Sequence, residues 1–385
     1  MDSAATSLKP KILGETSNDY YNNYSANAHR GDYDISFKVD ALIAKTRYLV
    51  SEFINCTEKE VIFTNNTTDS LNKIVLGFFE QYLNDGDEVL LTKSEHASNL
   101  LPWFELKKRK NIIINYIPLN ENLEVTLENT RKSITNRTKV ISLAHITNVI
   151  GDCRPIKEIT KLAHEHNILV SCDGAQSTPH IKIDVKDLDV DFFAFSAHKL
   201  LGPTGLGVLY AKEKHLLKFK PIMVGGGMNI SFDYDGNIEY SDIPYYFEAG
   251  TPNIAAIISF GKIIEYINEI GIENIGRHVT DLREYAIKKL SNNNNIIIYN
   301  FNVHTSIITF NYDNINSLDL AEYLNKYKIC VRAGNHCAKI LKDEIGVNNT
   351  CRISLYLYNT KEEIDYLIAV LNNPNIRNEI SVINE

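Results

Sequence analysis

The chain has 385 residues, 44% of them hydrophobic and 23% charged, with a net charge of −8. That is the composition of an ordinary globular protein with room for two domains. The acidic balance leaves no electrostatic footprint for nucleic acid or an anionic membrane, and no stretch approaches the roughly 18 apolar residues of a membrane span.

Met1-Asp2-Ser3-Ala4-Ala5-Thr6 lacks the basic and apolar regions of a signal peptide, so a cytoplasmic location is expected. From residue 60 to about 210, short apolar runs alternate with helical patterns. Glu60–Thr64 reads as a strand, and a helix follows from about Thr68. Val89–Leu91, Ile112–Ile114 and Val140–Leu143 read as further buried strands. Pro155 suits the first turn of a helix whose inner face carries Ile156, Ile159 and Leu162. Ile168–Cys172, Phe192–Phe195 and Gly207–Tyr210 are strands again. Continuous apolar strands separated by helices predict a mostly parallel sheet covered on both faces.

A helix is predicted over Ile254–Ile270, with Gly271 as its C-terminal cap. The domain change is placed near there, giving a large domain over 1–265 and a small α+β domain over 266–385. In the second domain, strands are expected at Ile296–Ile298, Ser306–Thr309, Ile329–Val331 and Arg352–Leu355, with a helix near 317–327. Thr360 and Glu363 form a capping box for a last helix, and the tail after Pro374 reads as polar and mobile.

Six cysteines, at 56, 153, 172, 330, 337 and 351, form no C-x-x-C pair, so neither a zinc nor a thioredoxin-type site is expected. Cys172 and Cys330 lie in apolar runs and are assigned to the core. Cys337 follows Arg332-Ala333-Gly334-Asn335-His336 in a polar turn and stands apart.

The most informative stretch is Ser196-Ala197-His198-Lys199, preceded by Asp173-Gly174-Ala175-Gln176. An aspartate ending one buried strand and a lysine just past another suit pyridoxal phosphate. The amine bonds the cofactor aldehyde, and the carboxylate keeps the pyridine nitrogen protonated. Each residue alone has a plainer explanation: Asp173 as a helix cap, Lys199 as a surface lysine, Thr67 and Thr68 as an ordinary helix start. Their combination with Gln176, Ser196 and His198 favours the cofactor. The strand-to-helix join at Thr67 and Thr68 would attract its phosphate. His96 and Asn148 each follow a strand, where ligands gather in α/β sheets, and His96 could stack on a flat ring.

These residues and others in order match a known family. Further carriers are Asp2–Ser7, Asn27-Ala28-His29-Arg30-Gly31, Glu95-His96, Thr147–Gly151, Lys199–Gly205, Phe247–Pro252 and Val331–Ala338. The chain resembles the group II, Suf/Csd-type cysteine desulfurases, pyridoxal-phosphate enzymes within the class V aminotransferases. The resemblance runs nearly end to end. Departures are Ser3 for an asparagine, Asn66 for a glycine, and Asn335, Lys339 and Ile340 around the cysteine turn.

The resemblance implies a fold-type I enzyme working as a homodimer, with Thr251 reaching the partner's cofactor phosphate. Lys199 would hold the cofactor and shuttle a proton, and His96 would stack on the ring and assist proton transfer. Arg352 would bind the α-carboxylate of L-cysteine, with Asn148 nearby and His29, Arg30 and Arg332 at the pocket mouth. Cys337 would take the sulfur as a persulfide, leaving alanine, and pass it to an acceptor protein for iron–sulfur cluster assembly. The nearest alternatives are a selenocysteine lyase or a cysteine sulfinate desulfinase. Another class V aminotransferase activity, or a non-catalytic scaffold, stands further off.

Overall fold

The structure is a computed structural model describing residues 1–28 and 31–383. Its larger part is a seven-stranded sheet of β1 (Val61–Thr64), β2 (Glu88–Leu91), β3 (Ile113–Tyr116), β4 (Thr138–Ala144), β5 (Leu169–Asp173), β6 (Phe192–Ser196) and β7 (Gly207–Ala211). The spatial order is β1-β7-β6-β5-β4-β2-β3. β3, β2, β4, β5 and β6 are parallel, while β7 is antiparallel to both β6 and β1. β1 therefore runs the same way as β6. The carboxyl ends of β1, β2, β4, β5 and β6 open on one edge, where ligands gather in such sheets. The central strands β5 to β7 are buried almost throughout, which explains their continuous apolar sequence.

An exposed hairpin, β8 (Asn229–Phe232) and β9 (Ile238–Tyr240), leaves the large part. The smaller C-terminal part is an antiparallel sheet of β10 (Ile296–Ile298), β11 (Ile307–Tyr312), β12 (Arg332–Gly334) and β13 (Thr350–Ser354), in the order β10-β11-β13-β12. Helices Ile272–Leu290 and Ser317–Lys326 pack with it, and Lys361–Leu371 packs on Ile272–Leu290. The expected α/β fold, mostly parallel with a smaller α+β portion, is the observed one.

Several local expectations need correction. The strand expected at 112–114 runs over Ile113–Tyr116 and is only half-buried, because it forms the sheet's edge. Ile329–Val331 is not a strand. Lys328 takes a left-handed φ of 60° as the helix ends, so pairing starts at Arg332 and Cys330 is exposed. The tail after Pro374 is not loose: helix Ile376–Ile383 buries Ile376 and Ile380, and Tyr327 donates to Glu379 at 2.7 Å. Cys172 is buried, as expected.

Helices Lys11–Asn23 and Asp34–Ile54 were not anticipated. Both pack against Ile254–Ile270, a helix buried along most of its length. A Cβ on Gly261 would lie 2.4 Å from Thr46 Oγ1, so glycine permits that close approach.

Burial makes acid costly to this fold. His145 and His180 are pushed down to about 4 and His336 to about 3, in each case mainly by desolvation. Their unfolded value lies near 6.5. Between these limits the unfolded chain binds more protons, so stability falls as pH drops from about 6.5 towards about 4. Asp173, raised to about 6 chiefly by burial, works the opposite way and offsets part of the loss. The unfolding midpoint is expected to fall steadily over that window. A midpoint that stayed level or rose would contradict the assignment.

Candidate active site

The strand ends enclose a chamber of about 410 Å³. Thr67, Thr68, His96, Asn148, Asp173, Gln176, Ser196, His198, Lys199, Arg332 and Arg352 all line it. Residues far apart in sequence meet there because β1, β2, β4, β5 and β6 point their carboxyl ends to the same side of the sheet, and β12 and β13 close the chamber from the smaller part.

At one end, Thr67 N–H donates to Ser196 Oγ at 2.7 Å, and the two hydroxyls hydrogen-bond at 2.6 Å. The Thr68 hydroxyl pairs with Ser98 Oγ at 2.7 Å. These hydroxyls sit at the start of a helical run over 67–82, where the first amide groups lack intrahelical acceptors. This donor set suits a phosphate group.

Asp173 ends β5, and its Oδ1 accepts the Ala175 amide at 2.9 Å. Burial raises its carboxyl to about 6, while the Ala175 amide and the Lys199 charge oppose the rise. Lys199 is lowered to about 8, first by burial and then by Arg352 and Arg332, with Asp173 opposing. A lowered amine is a better nucleophile towards an aldehyde.

His96 is lowered to about 4 by burial and by the Lys199, Arg332 and Arg352 charges. Its Nδ1 accepts the Ser98 amide at 3.1 Å, so the neutral ring carries its proton on Nε2. His198 is likewise lowered to about 4, by burial and by the charges of Lys199 and Lys9. Gln176 donates to Ala4 O at 2.9 Å, tying the N-terminal segment to the chamber wall.

The second half of the site is a pinned turn. His336 and Cys337 both adopt left-handed backbone, with φ of 50° and 58°. Such conformations cost L-residues about 1–2 kcal/mol each. The neighbours hold them. Asn148 Nδ2 donates to His336 O at 2.7 Å, and the Ala97 amide donates to Cys337 O at 2.7 Å. His336 Nε2 lies 3.0 Å from Thr350 O. Cys337 is exposed and does not line the chamber, but its Sγ lies 3.4 Å from Nη2 of Arg332, which does.

Ten buried side-chain atoms lack partners among the described residues, and two of them, Asn148 Oδ1 and Arg352 Nε, belong to the site. Both residues line the chamber. Unsatisfied buried polar groups of this kind point to a ligand. Together with the hydroxyl cluster, Asp173 and Lys199, they fit pyridoxal phosphate and an amino-acid carboxylate.

Not every expected residue is gathered here. Thr251 is exposed and lies outside the chamber, lining two neighbouring clefts. His29 and Arg30 lie outside the described residues.

A buried pair beneath the chamber was missed. Arg154 and Glu95, both fully buried, form an ion pair. Glu95 Oε2 accepts the Ala144 amide and Asn99 Nδ2, each at 2.8 Å, which ties the loop before His96 to β4. Arg154 also donates to Thr92 and Ser94 hydroxyls. Nothing in local pattern distinguishes these charges from surface ones. Glu95→Ala would leave the Arg154 charge with the longer contact to Asp152, at 3.4 Å, and is expected to cost about 3 kcal/mol in denaturant unfolding.

Fold and site together define a fold-type I pyridoxal-phosphate enzyme. Residues 1–367 match the family described as Aminotransferase class-V. The chain is 40% identical over 370 residues to a probable cysteine desulfurase of Halalkalibacterium halodurans, covering 95% of this chain and 90% of that one. An apo cysteine desulfurase structure from Thermococcus onnurineus superposes with a TM-score of 0.93 at 34% identity, over 96% of this chain and 92% of that one. A cysteine desulfurase from Escherichia coli gives 0.91 at 32% identity, over 97% and 93%. The chain belongs to the class-V aminotransferase family and, within it, to the Suf/Csd-type cysteine desulfurases.

Proposed function

We propose that this enzyme converts L-cysteine to L-alanine and takes the sulfur onto Cys337 as a persulfide. The observation that carries the assignment is the strained, pinned turn that sets Cys337 beside Arg332 at the mouth of the chamber holding Lys199 and Asp173. Pyridoxal phosphate, when bound, supplies an electron sink that weakens bonds around the substrate α-carbon.

The chain's residues divide the remaining work. Thr67, Thr68, Ser196 and His198 would hold the phosphate, Asp173 the ring-nitrogen proton, and Gln176 the ring hydroxyl. Arg352 would bind the substrate carboxylate through a planar fork of donors, with Asn148 beside it. Lys199 would anchor the cofactor and carry the α-proton. Neutral His96 would stack on the ring and offer its Nε2 proton. The Cys337 thiolate attacks the substrate sulfur: an S–S bond forms, the C–S bond breaks, and a proton returns to the carbon that becomes alanine's methyl group. Arg332, with Nη2 3.4 Å from Cys337 Sγ, would orient that sulfur.

Other assignments follow from the same reading. The chain would divide near residue 265 into two domains, and the enzyme would act as a homodimer. Exposed Ile230, Phe232 and Tyr234 on the hairpin, and Thr251 outside its own chamber, support a partner subunit. Thr251 would reach that partner's cofactor phosphate, and His29 and Arg30 would border the substrate. The exposed Cys337 suits hand-over to an acceptor protein that feeds iron–sulfur assembly. Six unpaired cysteines suit the cytoplasm, and among the described residues no helix is long and apolar enough to cross a membrane.

The purified holoenzyme is expected to release alanine from L-cysteine in the presence of a thiol reductant, with sulfide appearing in equal amount. Ammonia and pyruvate in place of alanine would contradict the assignment.

A further inference from the structure

The first nine residues form a strap joining the two halves of the site. Asp2 makes a parallel bridge to Ser354 at the end of β13, with Ser354 N–H donating to Met1 O at 3.0 Å and Ala4 N–H to Ser354 Oγ at 2.8 Å. Further along, the Ser7 amide and hydroxyl donate to His198 O at 3.1 and 3.0 Å, and Leu201 N–H donates to Ser7 Oγ at 2.9 Å. The strap thus touches the β13 strand that carries Arg352 and the turn that carries Lys199.

Asp2 is where it meets the chemistry. Its Oδ1 accepts Arg352 Nη2 at 3.0 Å. Arg352 Nη1 donates to Asn148 O at 2.8 Å, and Nε has no partner among the described residues. A planar guanidinium gripped at both terminal nitrogens cannot rotate about its long stem. Its remaining donors stay free. The Arg352 side chain is 1% exposed and Asp2 31%, so the pair spans the chamber wall. Arg332 is the cross-strand neighbour of Arg352, and the Asp2 carboxylate compensates this concentration of positive charge.

We propose that Asp2 is a positioning residue for substrate binding. It fixes the plane of the Arg352 guanidinium, so that Nε–H and a remaining Nη–H meet the amino-acid carboxylate as a prepared pair. This rests on the reading that Arg352 takes that carboxylate. Asp2 then governs affinity for any α-amino acid in the site, substrate or product, and leaves the sulfur step to other residues.

The test uses the holoenzyme with Asp2→Asn, Asp2→Glu, Arg352→Lys and the Asp2→Asn/Arg352→Lys double variant. Asp2→Asn is expected to raise KM for L-cysteine and the inhibition constant of L-alanine together by about tenfold, with kcat within about threefold. Asp2→Glu restores part of the loss. The cofactor absorbance and unfolding midpoint stay as in the parent, which a merely structural strap would not allow. In the Arg352→Lys background, Asp2→Asn adds less than about twofold, because its effect runs through Arg352. If Arg352→Lys raises both constants and Asp2→Asn moves neither, the role of Asp2 is overturned while the carboxylate reading stands. If Arg352→Lys moves neither constant, the carboxylate reading fails and the role of Asp2 fails with it. A fall in cofactor retention or kcat at unchanged KM would also overturn the proposal.

Discussion

Replacing Cys337 by serine is expected to leave a yellow, cofactor-loaded enzyme that barely turns over L-cysteine. The residue is exposed and lies outside the chamber, so the fold and the phosphate cradle do not depend on its sulfur. Its hydroxyl is a far poorer nucleophile, and an S–O product has no favourable exit. Loss of an essential nucleophile costs at least about 10³-fold in kcat. Alanine formation from L-cysteine, followed with a reductant present, should fall by that order. Survival at the parental rate would show that sulfur leaves without Cys337. Selenocysteine gives a useful contrast, because its selenium leaves more readily. A variant dead on L-cysteine and active on selenocysteine assigns the thiol to the sulfur step alone. Equal turnover of both substrates by the parent and the variant would favour a lyase.

Lys199→Ala should be the more complete knockout. It removes both the covalent anchor and the base that carries the α-proton. Proton transfer by a positioned side chain contributes about 10²–10⁴-fold, and loss of the covalent anchor adds to it, so activity on L-cysteine should fall below that of Cys337→Ser. The structural readout is independent of rate. Borohydride treatment should fix the cofactor to the parent chain and leave the variant chain unlabelled. Thr67, Thr68 and Ser196 remain, so the variant should still bind the cofactor without a covalent bond. Labelling of the variant at another lysine would move the anchor elsewhere.

The sequence is most legible where residues sit at strand ends. Asp173 and Lys199 each end an apolar run, and buried parallel strands place such ends together. Arg352 and Cys337 are visible as types of residue, but their roles came through family resemblance. The grip of Asn148 Nδ2 on the Cys337 turn could not be read, because 188 residues separate donor and acceptor. The Glu95–Arg154 pair was hidden for a related reason: full burial of a charge leaves no mark on local pattern. The helix at Asp34–Ile54 was legible, since Val39, Ile43, Val50 and Ile54 recur at helical spacing, whereas Lys11–Asn23 buries only Tyr20 and carries no such apolar stripe. Cys330 shows the opposite error. A three-residue apolar run does not by itself distinguish a core strand from the exposed link between a helix and a strand.

Passage of sulfur from L-cysteine to Cys337 can be weighed directly. Mix the holoenzyme with one equivalent of L-cysteine and no reductant, quench, digest, and weigh the peptide that contains Cys337. A gain of one sulfur atom on that peptide is expected, matched by one alanine per active site and reversed by a thiol reductant. Alanine released with no added sulfur on the Cys337 peptide, or sulfur found on Cys153 or Cys330 instead, would contradict it.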